Sequence, residues 1–134
     1  MEREVIEMQQ EIGATAGSVW MRDDDNENIL YPYIFLGSHS KELEELEVSI
    51  ETGFCGYCVR NKAELISNDM SKETEWNSDV DKKTGFHTVN MICLPIVVYD
   101  ECIGCVQLLN KPGGFTERDV QICRDIVAYI IDNL

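Results

Sequence analysis

Residues 91–99, MICLPIVVY, and 102–109, CIGCVQLL, are apolar at nearly every position, with Asp100 and Glu101 standing between them. Two short apolar runs joined by two polar residues read as neighbouring strands, with the tight turn at Asp100 and Glu101. Successive strand side chains point to opposite faces, so runs without polar alternation must be covered on both sides. This hairpin therefore demands helices on one face of its sheet and a pocket or further chain on the other.

The remaining chain supplies those pieces. Residues 2–12 read as a charged helix with Val5, Ile6 and Met8 or Ile12 as its apolar contacts, and residues 17–22, GSVWMR, as a strand. The turn-rich DDDNEN follows, and ILYPYIFL from Ile29 completes a second hairpin. Pro32 cannot donate to a ladder, which predicts an edge or a bulge there. KELEELEVSI is a short helix or irregular connection, GFCGYCVRN opens a helix between Gly53 and Gly56, and Glu64 to Ser67 is a short strand. Asp69 to Thr84 is polar with Trp76 as its large anchor, and reads as a cover. A final helix begins at Thr116 and runs to Leu134, with Val120, Cys123, Val127, Ile130, Ile131 and Leu134 along one face. The expected class is α+β, with a roughly six-stranded antiparallel sheet, the terminal helices on one face and a ligand pocket on the other.

With 134 residues the chain has the size of one domain, assigned to residues 1–134, in which 1–12 is the end of an N-terminal helix and 116–134 the C-terminal helix. Lys and Arg number 11 against 25 Asp and Glu, a net charge of −14. That balance argues against nucleic acid and anionic membrane surfaces as partners. The first residues carry acids where a secretion signal needs cations, and no run approaches a membrane span, so a cytoplasmic location is expected. Six cysteines then imply reduced thiols rather than a disulfide scaffold.

The segment TGFHTVNMICLPI, followed by IGCVQLLNK and FTERD, resembles the GAF domain, and within it the cyclic-nucleotide-phosphodiesterase type. The family pattern there runs T-G-F-x-T-x-N-x-x-C-x-P-I, I-G-V-x-x-L-x-N-K and F-x-x-x-D-E, and Val120 replaces its last glutamate. The resemblance covers nearly the whole chain. It implies a regulatory domain in signal transduction, a sensor with no catalytic residue of its own, probed by ligand binding rather than turnover. It also implies a structural clamp of Asn110, Lys111, Phe115 and Asp119, the lysine pairing with the aspartate. From the residues alone, Thr116 and Asp119 are also a helix N-cap and its N3 acid.

The same resemblance places a pocket lining at Ser18, Phe35, Phe54, Cys55, Asp81, Thr84, Thr88 and Gln107. Leu36 stands where family members often have an aspartate, and Gln107 where they have a glutamate. The implied ligand is a cyclic nucleotide, cyclic GMP or cyclic AMP, or another heteroaromatic metabolite. Phe35 would stack on a purine, the threonines and Asp81 would read its edge, and amides near Gly53 to Cys55 would hold a phosphate. The implied partners are the small molecule, a second copy paired through the terminal helices, and an output domain in the same parent chain. A purely structural dimerisation module is the bland alternative.

The cysteines raise two further chemistries. Cys55/Cys58 and Cys102/Cys105 give the zinc-type spacing C-x2-C twice. An i, i+3 pair in a strand points to opposite faces, so Cys102/Cys105 is not expected to chelate, and the expectation is no metal. Free methionine-(R)-sulfoxide reductases also share the GAF fold. GFCG is similar to their glycine-flanked cysteine, with Cys93 as a partner thiol, although their His-x-x-Cys element and aspartate-rich strand end are missing. His39 and His87 are the only histidines, no Cys-His dipeptide exists for attaching a linear tetrapyrrole, and the acidic runs lack calcium-loop spacing.

Overall fold

The structure is a computed structural model and describes residues 1–37, 41–73 and 87–134. His39, Trp76, Asp81 and Thr84 lie outside the described residues, and so does most of the covering segment that sequence predicts. In chain order the elements are α1 (Glu2–Ile12), β1 (Ala16–Arg22), β2 (Ile29–Phe35), α2 (Lys41–Glu44), β3 (Val48–Ser49), α3 (Gly53–Asn61), β4 (Leu65–Ser67), β5 (Met91–Val98), β6 (Glu101–Leu109) and α4 (Glu117–Asp132). A single 3-10 turn, Met70–Lys72, follows β4. The strands form one six-stranded sheet in the order β3-β2-β1-β6-β5-β4, and every neighbouring pair is antiparallel.

The apolar hairpin is β5 and β6, but its turn lies one residue earlier than expected. Tyr99 and Asp100 are the two turn residues, with φ of 50° and 66°, and Glu101 already pairs with Val98. Two consecutive left-handed residues match the right-handed twist of the strands, and the turn leaves Tyr99 fully exposed. The register then slips between Ile96 and Val97, which oppose Gly104 and Cys102. This bulge overturns the expectation that Cys102 and Cys105 face opposite ways, because the extra residue restores both to one face, in one cluster of buried side chains. Gly104 belongs there because a Cβ would lie 2.1 Å from the Trp20 carbonyl oxygen. Pro32 sits at the other irregularity. Val19 opposes Ile34 while Trp20 opposes Pro32, on a strand whose β3 neighbour reaches only Ile29 and Leu30.

The two faces are covered differently. Helices α1 and α4 pack against each other and on one face, where Val5, Ile12, Val19, Ile34, Ile92, Leu94, Ile96, Val106, Leu108, Ile126 and Ile130 form an aliphatic core. On the other face α3 lies against β5 and β6. Its core joins Trp20, Leu30, Phe54 and Met70 to Cys55, Cys58, Cys93, Cys102 and Cys105. No helix among the described residues is long and apolar enough to cross a membrane.

Candidate functional site

Strand pairing brings three of the sequence-predicted residues into one line. Phe35 pairs with Ser18, Ser18 with Gln107, and Gln107 with Cys93, so these four cross β2, β1, β6 and β5 in a single row. Their neighbours Val19, Ile34, Leu36, Val106, Ile92 and Leu94 all point into the aliphatic core, so the row faces the α3 side. Ser18 is buried and Gln107 half-buried. The Gln107 amide is oriented from both ends. Trp20 Nε1 donates to its Oε1 at 3.0 Å, and its Nε2 donates to the Met91 sulfur at 3.5 Å. Sequence reasoning missed Trp20 and Met91; only the register reveals that they flank the glutamine.

Phe54 and Cys55 are buried in the first turn of α3, above the Cys93 end of this row, and Thr88 is buried just before β5. Gly53, with φ 80°, begins the helix in a conformation that a side chain would resist. Asp81 and Thr84, the other two members of the expected lining, lie outside the described residues.

The four residues expected as a clamp lie close together at the end of β6 and the start of α4. Lys111 Nζ lies 2.5 Å from Asp119 Oδ2, and the same carboxylate oxygen accepts the Thr116 amide at 2.8 Å. The Thr116 hydroxyl accepts the Asp119 amide at 3.2 Å, which completes a capping box on α4. Cap and clamp are one arrangement. Burial opposes ionisation of Asp119, but hydrogen bonds from Lys111 and Thr116 prevail and hold its carboxyl below the usual range. Asn110 takes a left-handed φ of 59°, accepts the Val89 amide at 2.7 Å and donates to the His87 carbonyl at 2.6 Å. Phe115 is fixed through its backbone, its amide donating to Asn68 Oδ1 at 2.8 Å. Asn90 does the same for the Lys111 amide at 2.9 Å. Asn68 has no local sequence signal; Asn90 had one, as the asparagine of the T-G-F-x-T-x-N run.

A second constellation combines cysteines that sequence spacing had grouped differently. The sulfurs of Cys55, Cys93 and Cys105 all lie within 4.8 Å of one another, and Cys93 Sγ is 3.8 Å from Cys55 Sγ. Cys58, one turn along α3, packs in the same buried cluster but is not among the three sulfurs that lie within 4.8 Å of one another. Donation from the Cys105 thiol, and then from Cys93, lowers the two helix thiols, Cys55 and Cys58. Cys93 is raised far above the ordinary thiol range, first by its bond with Cys105, and Cys105 by its bonds with Cys55 and Cys58. Cys102 is outside this group, its thiol donating to the Gly104 carbonyl at 3.2 Å. An open depression of about 440 Å³ beside Arg22, Tyr31 and Glu101 includes none of the predicted lining residues.

These features agree with the comparisons to known proteins. The model of the GAF domain family matches residues 3–132, and the chain belongs to that family. A probable 3',5'-cyclic phosphodiesterase of Caenorhabditis elegans is 28% identical over 117 residues, covering 81% of this chain and 16% of that protein. A cGMP-specific 3',5'-cyclic phosphodiesterase of Drosophila melanogaster is 31% identical over 90 residues, covering 64% of this chain and 8% of that protein. The chain thus spans under a fifth of the length of either relative. Among solved structures, a type II free methionine-R-sulfoxide reductase from Thermoplasma acidophilum superposes with a TM-score of 0.75 at 15% identity, covering 95% of this chain and 84% of the other. At that identity the likeness is one of fold.

Proposed function

We propose that this chain is a regulatory sensor domain that reversibly captures a small heteroaromatic metabolite, in its most specific form cyclic GMP or cyclic AMP. One observation carries the proposal: Phe35, Ser18 and Gln107 stand in one cross-strand row on the face opposite the terminal helices, and the row ends at Cys93 beneath the first turn of α3. An aromatic plane, a hydroxyl and an amide in line suit a purine, whose face stacks and whose edge hydrogen-bonds. A phosphate would be held by amides around Phe54 and Cys55, which suits a chain whose net charge of −14 supplies no cationic cradle. Thr88, with Asp81 and Thr84 from the covering segment, completes the proposed lining. That the relatives are cyclic-nucleotide phosphodiesterases favours cyclic nucleotides among heteroaromatic ligands.

The strands between this site and α1 and α4 are buried on both faces. A ligand that prefers one arrangement of the cover shifts the helices by its differential affinity, about 1–3 kcal/mol. In this proposal the domain acts in signal transduction without catalysis, in the cytoplasm, pairs with a second copy through its terminal helices, and regulates an output domain in the same parent protein. Calorimetric titration with cyclic GMP and cyclic AMP, with mass spectrometry of copurifying molecules, tests it. The expected result is saturable binding below millimolar, weakened roughly tenfold by Gln107→Ala or Thr88→Ala, the cost of about one hydrogen bond. Binding of neither nucleotide would remove the cyclic-nucleotide form and leave the general sensory reading, and the absence of any copurifying ligand as well, with dimerisation intact, would leave the purely structural module. Sedimentation of a monomer at high micromolar concentration would remove the pairing.

A second function has its own support, the 3.8 Å separation of the Cys55 and Cys93 sulfurs. Two thiols that close suit a reductase that finishes its cycle as a disulfide. Turnover of free methionine-(R)-sulfoxide with a thiol reductant, abolished by Cys93→Ser, would replace the non-catalytic proposal.

A further inference from the structure

Three of the six cysteines bring their sulfurs together from three elements, with Cys58 beside them on α3 in the same buried cluster, and the other two are engaged elsewhere. Cys123 packs into the aliphatic core under α4, and Cys102 satisfies a backbone carbonyl, both as small core residues commonly do. Of the remaining four, Cys55, Cys93 and Cys105 meet directly and Cys58 stands one turn away on the same side of α3. Cys55 and Cys58 are i and i+3 on α3 and so share its sheet-facing side. Cys93 pairs with Gln107, two residues from Cys105 on the same face, so the strand cysteines are diagonal neighbours beneath the helix. Cys58, Cys93 and Cys105 are 0% exposed and Cys55 8%.

The spacing has the dimensions of a coordination sphere. A tetrahedral zinc with Zn–S near 2.3 Å separates its sulfurs by about 3.8 Å. The Cys55 and Cys93 sulfurs are 3.8 Å apart, and no pair among Cys55, Cys93 and Cys105 exceeds 4.8 Å. Thiolates this close fit around one ion rather than a polynuclear cluster, whose metal and sulfide atoms would hold them further apart. Among the described residues the group contains neither carboxylate nor imidazole, a soft donor set that selects zinc-like ions over magnesium or calcium.

We propose that Cys55, Cys93 and Cys105, joined on loading by Cys58 drawn in from the next turn of α3, form a tetrathiolate site for a single thiophilic metal ion of the Zn2+ class. The site revises the no-metal expectation, which had paired Cys55/Cys58 with Cys102/Cys105. Four protein ligands leave no open position, so the ion is structural and fastens α3 to β5 and β6. Loading releases up to four protons, and the net charge of −2 on the ion and its thiolates lies beside the positive end of α3. An occupied site also withholds Cys55 and Cys93 from thiol chemistry. The proposal does not rest on small-molecule capture.

Titration of the reduced, metal-free chain with Co2+ under anaerobic conditions tests it. The expected result is one equivalent bound, with the visible d–d and thiolate-to-cobalt absorption of tetrahedral sulfur coordination, displaced by Zn2+. X-ray absorption of the zinc form should give four sulfurs at about 2.3 Å. Cys58→Ser and Cys105→Ser should each weaken cobalt binding by more than about 100-fold, beyond what changes around the ligands alone cost. Cys102→Ser and Cys123→Ser should leave the spectrum unchanged. Absence of the cobalt spectrum in folded, fully reduced protein would overturn the proposal, as would fewer than four sulfurs on zinc, a polynuclear iron centre, or an unchanged spectrum in the Cys58→Ser/Cys105→Ser variant. X-ray absorption on the unmodified chain decides the matter where a serine variant fails to fold. Calorimetry with cyclic nucleotides on metal-free and zinc-loaded protein reads ligand capture separately, so either proposal can fail alone.

Discussion

The two faces of the sheet are built from the same strands yet differ in chemistry. Beneath α1 and α4 the strands present Val19, Ile34, Ile92, Leu94, Ile96, Val106 and Leu108, aliphatic side chains with no polar atom to satisfy. Beneath α3 the alternate residues are Ser18, Trp20, Met91, Cys93, Cys105 and Gln107, nearly all with a heteroatom. An aliphatic face asks only for volume and contact, and tolerates partners of roughly the right shape. A face lined with sulfur, hydroxyl and amide needs specific partners, because each buried polar group left unmatched costs about 1–3 kcal/mol. In the proposed function, stability is therefore concentrated on one face and recognition on the other, with the Lys111–Asp119 contact at the end of β6 tying α4 to the sheet.

The largest effect should come from the aliphatic face. Ile126 is 0% exposed on α4, and Ile126→Ala should cost about 2–5 kcal/mol in urea unfolding through lost transfer energy and a residual cavity. Cobalt binding and nucleotide binding by the folded variant should not change. A loss under 1 kcal/mol would mean that α4 is not seated on the sheet as described.

An intermediate effect is expected at the clamp. Asp119→Asn leaves the half-buried Lys111 ammonium without its carboxylate, and should cost about 1–3 kcal/mol. Lys111→Met made together with it should recover part of that loss, since the pair would then be replaced rather than broken. Because the folded carboxyl is held below its unfolded value, its stabilisation is fully present above pH about 4 and fades as the pH falls through the lowered value. Asp119→Asn should flatten that acid limb; an unchanged limb would assign the acid sensitivity to other carboxylates.

The clamp also marks how much was legible in the sequence. Thr116, Asp119 and Lys111 carry local signals, a cap spacing and a family motif, and the structure joins them by direct contacts. The strands and both terminal helices were readable from periodicity for the same reason: the information is local. The cysteine group was not, because it depends on register. The turn falls at Tyr99 and Asp100, and the bulge opposite Ile96 and Val97 returns Cys102 and Cys105 to one face. Neither follows from the spacing C-x2-C. Asn68, which fixes the Phe115 backbone 47 residues away, was equally invisible.

The smallest effect concerns a second link to α4, at the sheet edge. Arg124 on α4 meets Glu64, just beyond α3, through Nε to Oε2 at 3.0 Å and Nη2 to Oε1 at 2.8 Å. The fork is bidentate, but its side chains are 47% and 38% exposed, so solvent screens it heavily. Arg124→Ala should cost little at low ionic strength, and less in 1 M salt, where the Debye length is about 3 Å. The Arg124 hydrogen bond holds the Glu64 carboxyl below its usual range, so the contribution is present above pH about 4.3 and is lost on acidification through the lowered value. Urea unfolding of Arg124→Ala, Glu64→Gln and the double variant at low and high salt isolates the coupling. A large, salt-independent loss would show that the bridge shares the clamp's task of tying α4 to the sheet, and the division between a stabilising face and a recognising face would then have to be redrawn around both links.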